Sequence, residues 1–338
     1  MRAVFIVLFC FTLVAARKRI IAGTSAIEQG SPNITWHIGI EGDPLLCGGV
    51  MIAPSFVLTA AQCLKSIADD SLRLPSSVVL TPGISLDSAD SAKRNVKRYW
   101  VEPSYASSVP FKDRVDLAVI EVIAPFDIGQ GFAPIGMCND TLGCHAANAS
   151  QFITGYGRTI SDNATSTVRT LRWANLTAVS SSACTSKYDE NFCSGCKPRN
   201  YICAASDPSD ADPAKDNCFG DGGGGLVQQI DGEYFVAGVI SSGTVPAGQT
   251  PLCGKPGEYG LYSSIAYSRS FIDPILSGQN TAASITNVCV AAGNCAAFPG
   301  APIPTTTTGG STTTPSSAAR FSAALFLAWM AFAVALMI

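Results

Sequence analysis

The sequence has no net positive charge and little helical periodicity, and each absence argues against a class of protein. Its 338 residues carry 22 lysines and arginines against 25 aspartates and glutamates. An acidic protein repels phosphate, so we expect no nucleic-acid partner. Helical periodicity is absent before SIAYSRSFIDPIL at 264–276, which argues against a helical bundle.

The N-terminus is one of two strongly apolar segments. Residues 1–16 contain one basic residue, an apolar run, and the small residues Val14 and Ala16 where signal peptidase would cut. This pattern predicts a secretory signal peptide rather than a membrane span. The basic residues that follow, 17–19, are interpreted as a short propeptide.

The second apolar segment ends the chain, at 321–338, and lacks the basic residues that normally follow a stop-transfer span. Small residues and a polar spacer precede it, which is typical of a GPI-attachment signal. We predict attachment at Gly309, removal of 310–338, and display at the cell surface on a membrane anchor. Secretion without an anchor and a single-pass membrane helix are the alternatives. Loss of both ends leaves 17 basic against 25 acidic residues, a net charge of about −8.

Between these ends, the sequence changes character near residue 277. Residues 20–277 consist of short β-rich runs, such as WHIGI and YFVAGVISSG, separated by Gly, Pro, Asn and Ser clusters. This spacing predicts an all-β barrel or sandwich closed by a short C-terminal helix. Residues 278–309 are rich in Ala, Thr and Pro and are expected to form an O-glycosylated stalk.

Twelve cysteines remain once Cys10 is lost with the signal peptide, an even number that predicts up to six disulfides in an oxidising compartment. The close pairs are candidates for local bridges: Cys138/Cys144, Cys193/Cys196 and Cys289/Cys295. CSGC at 193–196 has no second pair of the same spacing, so we expect neither a metal nor another cofactor. Five sequons predict a glycosylated exterior, at Asn33, Asn139, Asn148, Asn163 and Asn175.

Several motifs in fixed order resemble those of the trypsin and chymotrypsin family. RIIAG at 19–23 resembles the activation site, and LCGGVMIAPSFVLTAAQC at 46–63 the segment of the general base. DLAVIEV at 116–122 resembles the segment of the orienting aspartate, and DNCFGDGGGGLV at 216–227 that of the nucleophile. SSG at 241–243 and CGKPGEYGLYSSI at 253–265 resemble the wall and rim of the specificity pocket. The resemblance implies two six-stranded antiparallel β-barrels and a short C-terminal helix over 20–277.

Two residues of the family's catalytic triad are replaced. The histidine falls on Gln62 and the serine on Gly222, while the aspartate is retained as Asp116. A glutamine amide does not titrate in the usable range, and glycine carries no nucleophile. His37, in a strand of the first barrel, and His145, in a disulfide-bounded loop, are expected to be structural rather than a substitute base.

Other site residues of the family are retained. Cleavage after residue 19 would give Ile20 a free amine that pairs with a buried Asp221, although Asp221 as a simple turn residue is the alternative. Asp216 stands where trypsin-like members hold the carboxylate that receives lysine or arginine, and Gly243 and Gly257 match the glycines that keep that pocket open. A solvated loop aspartate is the alternative for Asp216.

The resemblance also implies an oxyanion hole and three disulfides. The N–H groups of Gly220 and Gly222 match the family's oxyanion donors, although Gly225 replaces the usual proline. The implied disulfides are Cys47–Cys63, Cys184–Cys203 and Cys218–Cys253. A further bridge of the family is lost, because Gln151 stands in place of a cysteine.

These features predict a catalytically inactive protease homologue that acts by binding a protein. The resemblance permits a decoy, a cofactor of an active protease, or an inhibitor, for example of a glucan-degrading glycoside hydrolase. The partner would then be a protease, a protease substrate or a glycoside hydrolase. An active trypsin-like endopeptidase and a glycan-bearing surface scaffold are the alternatives.

Overall fold

The structure is a computed structural model and describes residues 20–109, 113–191, 200–209, 214–243, 250–279 and 285–286. The signal peptide, the propeptide, nearly all of the stalk and the GPI signal with Gly309 lie outside these residues. So do Cys193, Cys196, Cys289 and Cys295. No helix within the described ranges is long and apolar enough to cross a membrane.

The described residues form short strands that follow the β-rich runs of the sequence. From β1 to β8 the strands are Thr24–Ser25, His37–Glu41, Leu46–Ala53, Phe56–Thr59, Val79–Pro82, Arg94–Val101, Ala118–Val122 and Gly136–Met137. From β9 to β15 they are Ser150–Gly155, Arg172–Val179, Tyr201–Ala205, Gly225–Ile230, Glu233–Gly243, Gly260–Ser264 and Ile285–Thr286.

Two closed barrels account for twelve of these strands. The first barrel runs β2-β3-β4-β7-β6-β5 and returns to β2, and the second runs β9-β10-β11-β14-β13-β12 and returns to β9. All pairings within the two rings are antiparallel. β1 adds to β10, β8 runs parallel to β13, and β15 adds to β6. The predicted architecture of two six-stranded antiparallel barrels is confirmed.

The barrels are held by branched apolar side chains that alternate into a shared core. Ile38 and Ile40 of β2 are fully buried, and so is Val119 of β7. The same core extends to Val227 of β12 and Val239 of β13, so the two barrels pack against each other. Burial of each such side chain contributes about 1.5–3 kcal/mol.

The predicted C-terminal helix is present as α2, Ile265–Leu276. The Ser264 hydroxyl caps it by accepting a hydrogen bond from Tyr267 N at 3.4 Å. Its apolar face adds Ile265, Ile272 and Ile275 to the shared core. The helix therefore closes the fold against the barrels.

A second helix, α1 at Ser181–Asn191, was not expected from the sequence. Its sequence SSACTSKYDEN has no apolar stripe of 3.6-residue period, so the pattern gave no signal. The Cys184–Cys203 disulfide joins it to β11. The described residues also include single-turn 3-10 helices at Ala61–Cys63, Pro75–Ser77 and Asp90–Ala92.

Candidate active-site cleft

Gln62 lies on the 3-10 helix Ala61–Cys63, directly after β4, and is hydrogen-bonded to Asp116. Its side-chain Nε2 donates to Asp116 Oδ2 at 2.7 Å, and its backbone N donates to Asp116 Oδ1 at 2.9 Å. Nε2 also donates to the Ser241 carbonyl oxygen at 2.5 Å. Both amide hydrogens of Gln62 are therefore engaged, and Oε1 is the polar atom left for a ligand.

Asp116 is buried beside Gln62, with 3% of its surface exposed. Ser241 Oγ donates to Asp116 Oδ2 at 2.7 Å, and Ser263 Oγ donates to the Asp116 carbonyl oxygen at 2.8 Å. Burial raises the pKa of Asp116 to about 6, while the hydrogen bonds from Ser241 and Gln62 lower it. The carboxyl is thus fully enclosed and holds Gln62 in one orientation.

The contribution of Ser241 was missed in the sequence. The motif SSG at 241–243 predicts a wall of the pocket, whereas in the structure Ser241 contacts both Asp116 and Gln62. It comes from β13 of the second barrel, while the other two come from the first. Only the fold places residues so distant in sequence together.

Gly222 lies on the turn before β12 and faces Gln62. A Cβ atom at this position would lie 3.7 Å from Gln62 Nε2 and 3.9 Å from Gln62 Cδ, and apart from its chain neighbours no other described residue comes within 4 Å. The position therefore has room for a side chain, and that side chain would contact residue 62. Base and nucleophile positions meet across the cleft, as the alignment of the two motifs requires.

The next glycine of the run is required by the backbone. Gly223 has φ +88°, where L side chains are strained, and a Cβ there would collide with the Gly48 carbonyl oxygen and Thr59 Oγ1. The turn is also tied to the first barrel, because Gly48 N donates to the Gly222 carbonyl oxygen at 2.8 Å. The glycine run is therefore a close contact between the barrels rather than a loose loop.

The backbone N–H groups of Gly220 and Gly222 have no acceptor within the described part of the chain. Unpartnered N–H donors on one turn are what an oxyanion hole requires. Both are therefore left for a ligand.

Asp221, between these two glycines, is fully buried. Gly157 N and Cys218 N each donate to its carboxyl at 2.8 Å. Burial, with a smaller contribution from the nearby charge of Asp216, raises the pKa of Asp221 to about 7, although the hydrogen bonds from Cys218 and Gly157 lower it. Ile20 is also buried, with 1% of its surface exposed, and its pairing with Asp221 stays a prediction that requires the free amine released by cleavage after residue 19.

Asp216 lies two residues before Cys218 and contacts the segment at 253–265. Gly254 N donates to its Oδ2 at 2.9 Å, and its backbone bridges to Ile21. Desolvation raises the pKa of Asp216 to about 7, hydrogen bonds from Gly254 and Asn217 lower it, and the charge of Glu258 raises it.

Of the two pocket glycines, only Gly243 has an atom near its Cβ position. A Cβ at Gly243 would lie 3.8 Å from the Tyr259 carbonyl oxygen, and a Cβ at Gly257 would have no atom of the described residues within 4 Å. Neither position is sterically crowded by the described residues.

Neither histidine reaches the cleft residues. His37 is fully buried on β2, where its Nδ1 lies 2.8 Å from Thr154 Oγ1, and burial lowers its pKa to about 3. His145 Nδ1 lies 3.3 Å from Gln151 Oε1, and Gln151 Nε2 donates to Gln228 Oε1 at 3.1 Å. Gln151, which stands in place of a cysteine, thus belongs to a polar network on the second barrel.

Four disulfides join described residues. They are Cys47–Cys63, Cys138–Cys144, Cys184–Cys203 and Cys218–Cys253. Three are the pairs that the family resemblance implies, and Cys138–Cys144 is one of the close pairs. Cys47–Cys63 holds the Gln62 helix to β3, and Cys218–Cys253 holds the turn that carries Gly222 to the segment at 253–265.

The asparagines of all five sequons are exposed: Asn33, Asn139, Asn148, Asn163 and Asn175. Each is therefore accessible to a glycan. Within the described ranges, no group of three His, Cys, Asp or Glu side chains could hold a metal ion.

Two closed β-barrels with a cleft that joins residues of both define the class of two-barrel, trypsin-like folds. The chain belongs to the trypsin family, whose model matches residues 20–272. Human kallikrein-11 is 30% identical over 251 residues, which cover 73% of this chain and 78% of the relative. Rabbit coagulation factor IX is 26% identical over 251 residues, which cover 74% and 82%. The Drosophila serine protease Hayan is 31% identical over 245 residues, which cover 69% and 35%.

Proposed function

We propose that this chain is a catalytically inactive member of the trypsin family that acts at the cell surface by binding a protein. The observation that carries the proposal is the pair of residues that face each other across the cleft. The Gln62 side-chain amide donates a hydrogen bond to Asp116, and Gly222 opposite it has no side chain.

Hydrolysis by this family needs a group that takes a proton from the nucleophile and returns it to the leaving amine. The Gln62 amide accepts hydrogen bonds through Oε1 but does not take up a proton near neutral pH. Asp116 does not replace it, because it is buried beneath Gln62 and both its oxygens accept hydrogen bonds. A peptide in the cleft is therefore held and not cut.

The binding groups of the cleft are retained. The Gly220 and Gly222 N–H groups are available for a carbonyl oxygen, and Asp216 supplies a carboxylate for a lysine or arginine side chain. The protein would thus bind a basic segment of a protease, a protease substrate or a glycoside hydrolase. It would serve as a decoy, a cofactor or an inhibitor.

The test is binding of benzamidine, which carries the amidinium of an arginine side chain, measured by calorimetry. We expect binding to the wild type, at least about tenfold weaker binding to Asp216→Asn, and no change in the control Asp231→Asn on an exposed hairpin. Turnover of an arginine peptide at an enzymatic rate would instead establish the endopeptidase. Absence of benzamidine binding would favour the glycan-bearing scaffold.

Display at the cell surface is supported by the terminal sequence pattern and by the exposure of the five sequon asparagines. Treatment of expressing cells with a phosphatidylinositol-specific phospholipase is expected to release the protein. Retention on the treated cells would favour a membrane-spanning tail.

A further inference from the structure

A surface beside the cleft takes no part in the site described above. Phe219, which immediately precedes Gly220, has 51% of its surface exposed. The guanidinium carbon of Arg158 lies 4.5 Å from the centroid of the Phe219 ring. Arg158 N also donates to the Phe219 carbonyl oxygen at 2.8 Å. Backbone and side chains thus hold the two residues together at the rim of the cleft.

A disulfide links the chain neighbour of Phe219 to that of a second exposed apolar side chain. Leu252, which is 39% exposed, immediately precedes Cys253. Cys253 is bonded to Cys218, the residue before Phe219. Phe219 and Leu252 therefore flank the same covalent link.

A third apolar side chain, Ile160, is 47% exposed and follows Arg158 by two residues. The next residue, Ser161, accepts a hydrogen bond from Cys253 N at 3.1 Å through its Oγ. This bond holds the Ile160 segment against the disulfide. The rim surface defined by these contacts consists of Arg158, Ile160, Phe219 and Leu252.

Arg158 has no carboxylate partner among the described residues. Its one hydrogen bond from the guanidinium there goes to the Ser161 carbonyl oxygen at 3.4 Å. Arg98 is also stacked on an aromatic ring, that of Trp100 at 4.9 Å, but it is paired with Glu121. Arg158 therefore keeps most of its five N–H donors for another molecule.

We propose that the rim surface is a docking site for a protein segment that presents a carboxylate next to an apolar side chain. The carboxylate would meet the unpaired guanidinium in a two-pronged hydrogen bond, and the apolar side chain would cover Phe219 and its apolar neighbours. Arginine and aromatic residues are enriched where protein interfaces concentrate their binding energy. This proposal rests on the proposed binding function and adds a contact outside the cleft.

The test uses the protein purified from the secretory pathway of expressing cells and a phage library of random ten-residue peptides. We expect enriched peptides to carry Asp or Glu within two residues of Leu, Ile or Phe. Arg158→Glu and Phe219→Ala should each weaken the enriched peptides at least about tenfold. The control Arg98→Gln, which removes a stacked but paired arginine, should leave them unchanged.

Phe219 is exposed and Arg158 is half-buried, and unchanged thermal unfolding would establish that both rim variants fold. Arg158→Gln is a milder second variant that should also weaken binding of the enriched peptides. Absence of enrichment, enriched peptides without the acidic and apolar pair, or affinities unchanged by both rim variants would overturn the proposal. If the enriched peptides lose affinity only for Asp216→Asn, they bind in the cleft. That result would support the proposed cleft binding and refute the rim surface alone. Peptide cleavage would refute the inactive cleft and not the rim surface.

Discussion

Restoring both missing side chains, by Gln62→His with Gly222→Ser, should restore hydrolysis. The space is present, because among the described residues a Cβ at residue 222 approaches only the Gln62 side chain within 4 Å, at 3.7 Å from Nε2. The orienting group is present too, since Asp116 already accepts 2.7 Å bonds from Ser241 Oγ and the residue 62 side chain. An imidazole donating to Asp116 through Nδ1 would extend Nε2 toward the new hydroxyl.

The expected gain in turnover follows from the fact that the three residues of a triad act together. Loss of the nucleophile or the base in a related mechanism costs about a millionfold in turnover. A misplacement of about 1 Å costs roughly a hundredfold. We therefore expect the double variant to exceed the parent by at least about a thousandfold, and each single variant to stay within about tenfold of it.

The assay is release of a chromophore from an arginine peptide, with the chain cleaved after residue 19 so that Ile20 has a free amine. Single variants Gln62→His and Gly222→Ser serve as matched controls. A folded double variant that binds benzamidine and hydrolyses no faster than either control would refute the geometry described for the cleft. Equal activity in one single variant would refute the requirement for both groups.

Three further predictions follow from the same residues. Gly222→Ala should change the free energy of unfolding by less than about 1 kcal/mol. Gly223→Ala should lower it by at least about 2 kcal/mol, because residue 223 has a positive φ and its Cβ would collide with Gly48. Equal urea midpoints for the two variants would contradict this. Asp116, Asp216 and Asp221 have raised pKa values of about 6, 7 and 7, so the folded state binds the extra protons and the uncleaved chain should lose stability as pH rises from about 4 to about 7. Urea titrations across that range should show the fall, and a rise in stability would refute the sign. Asp221→Asn, or cleavage after residue 19 that lets an amine pair with Asp221, should make that pH slope shallower; an unaltered slope would show that Asp221 does not titrate there.

The sequence was sufficient for the barrels because alternating apolar runs and turn residues determine strands locally. The family resemblance also implied three disulfide pairs that the structure contains. The sequence was insufficient to predict α1, because that segment has no apolar stripe of helical period. It also missed Ser241 and the Arg158–Phe219 stack, because each brings together residues far apart in the chain and no local pattern records such contacts.

The amide of Gln62 shows the same limit at the level of one side chain. Its identity predicts the loss of a base, but not that both its hydrogens are spent on Asp116 and Ser241. That arrangement depends on the carbonyl of β13 approaching from the second barrel. Only the closed fold fixes it.

The most direct test of the central claim is intact-mass measurement after exposure of the chain, cleaved after residue 19, to a fluorophosphonate that traps activated hydroxyl groups. We predict an unchanged mass, because neither a proton acceptor nor an attacking oxygen stands at residues 62 and 222. A stoichiometric adduct mapped to any side chain of the cleft would contradict the account.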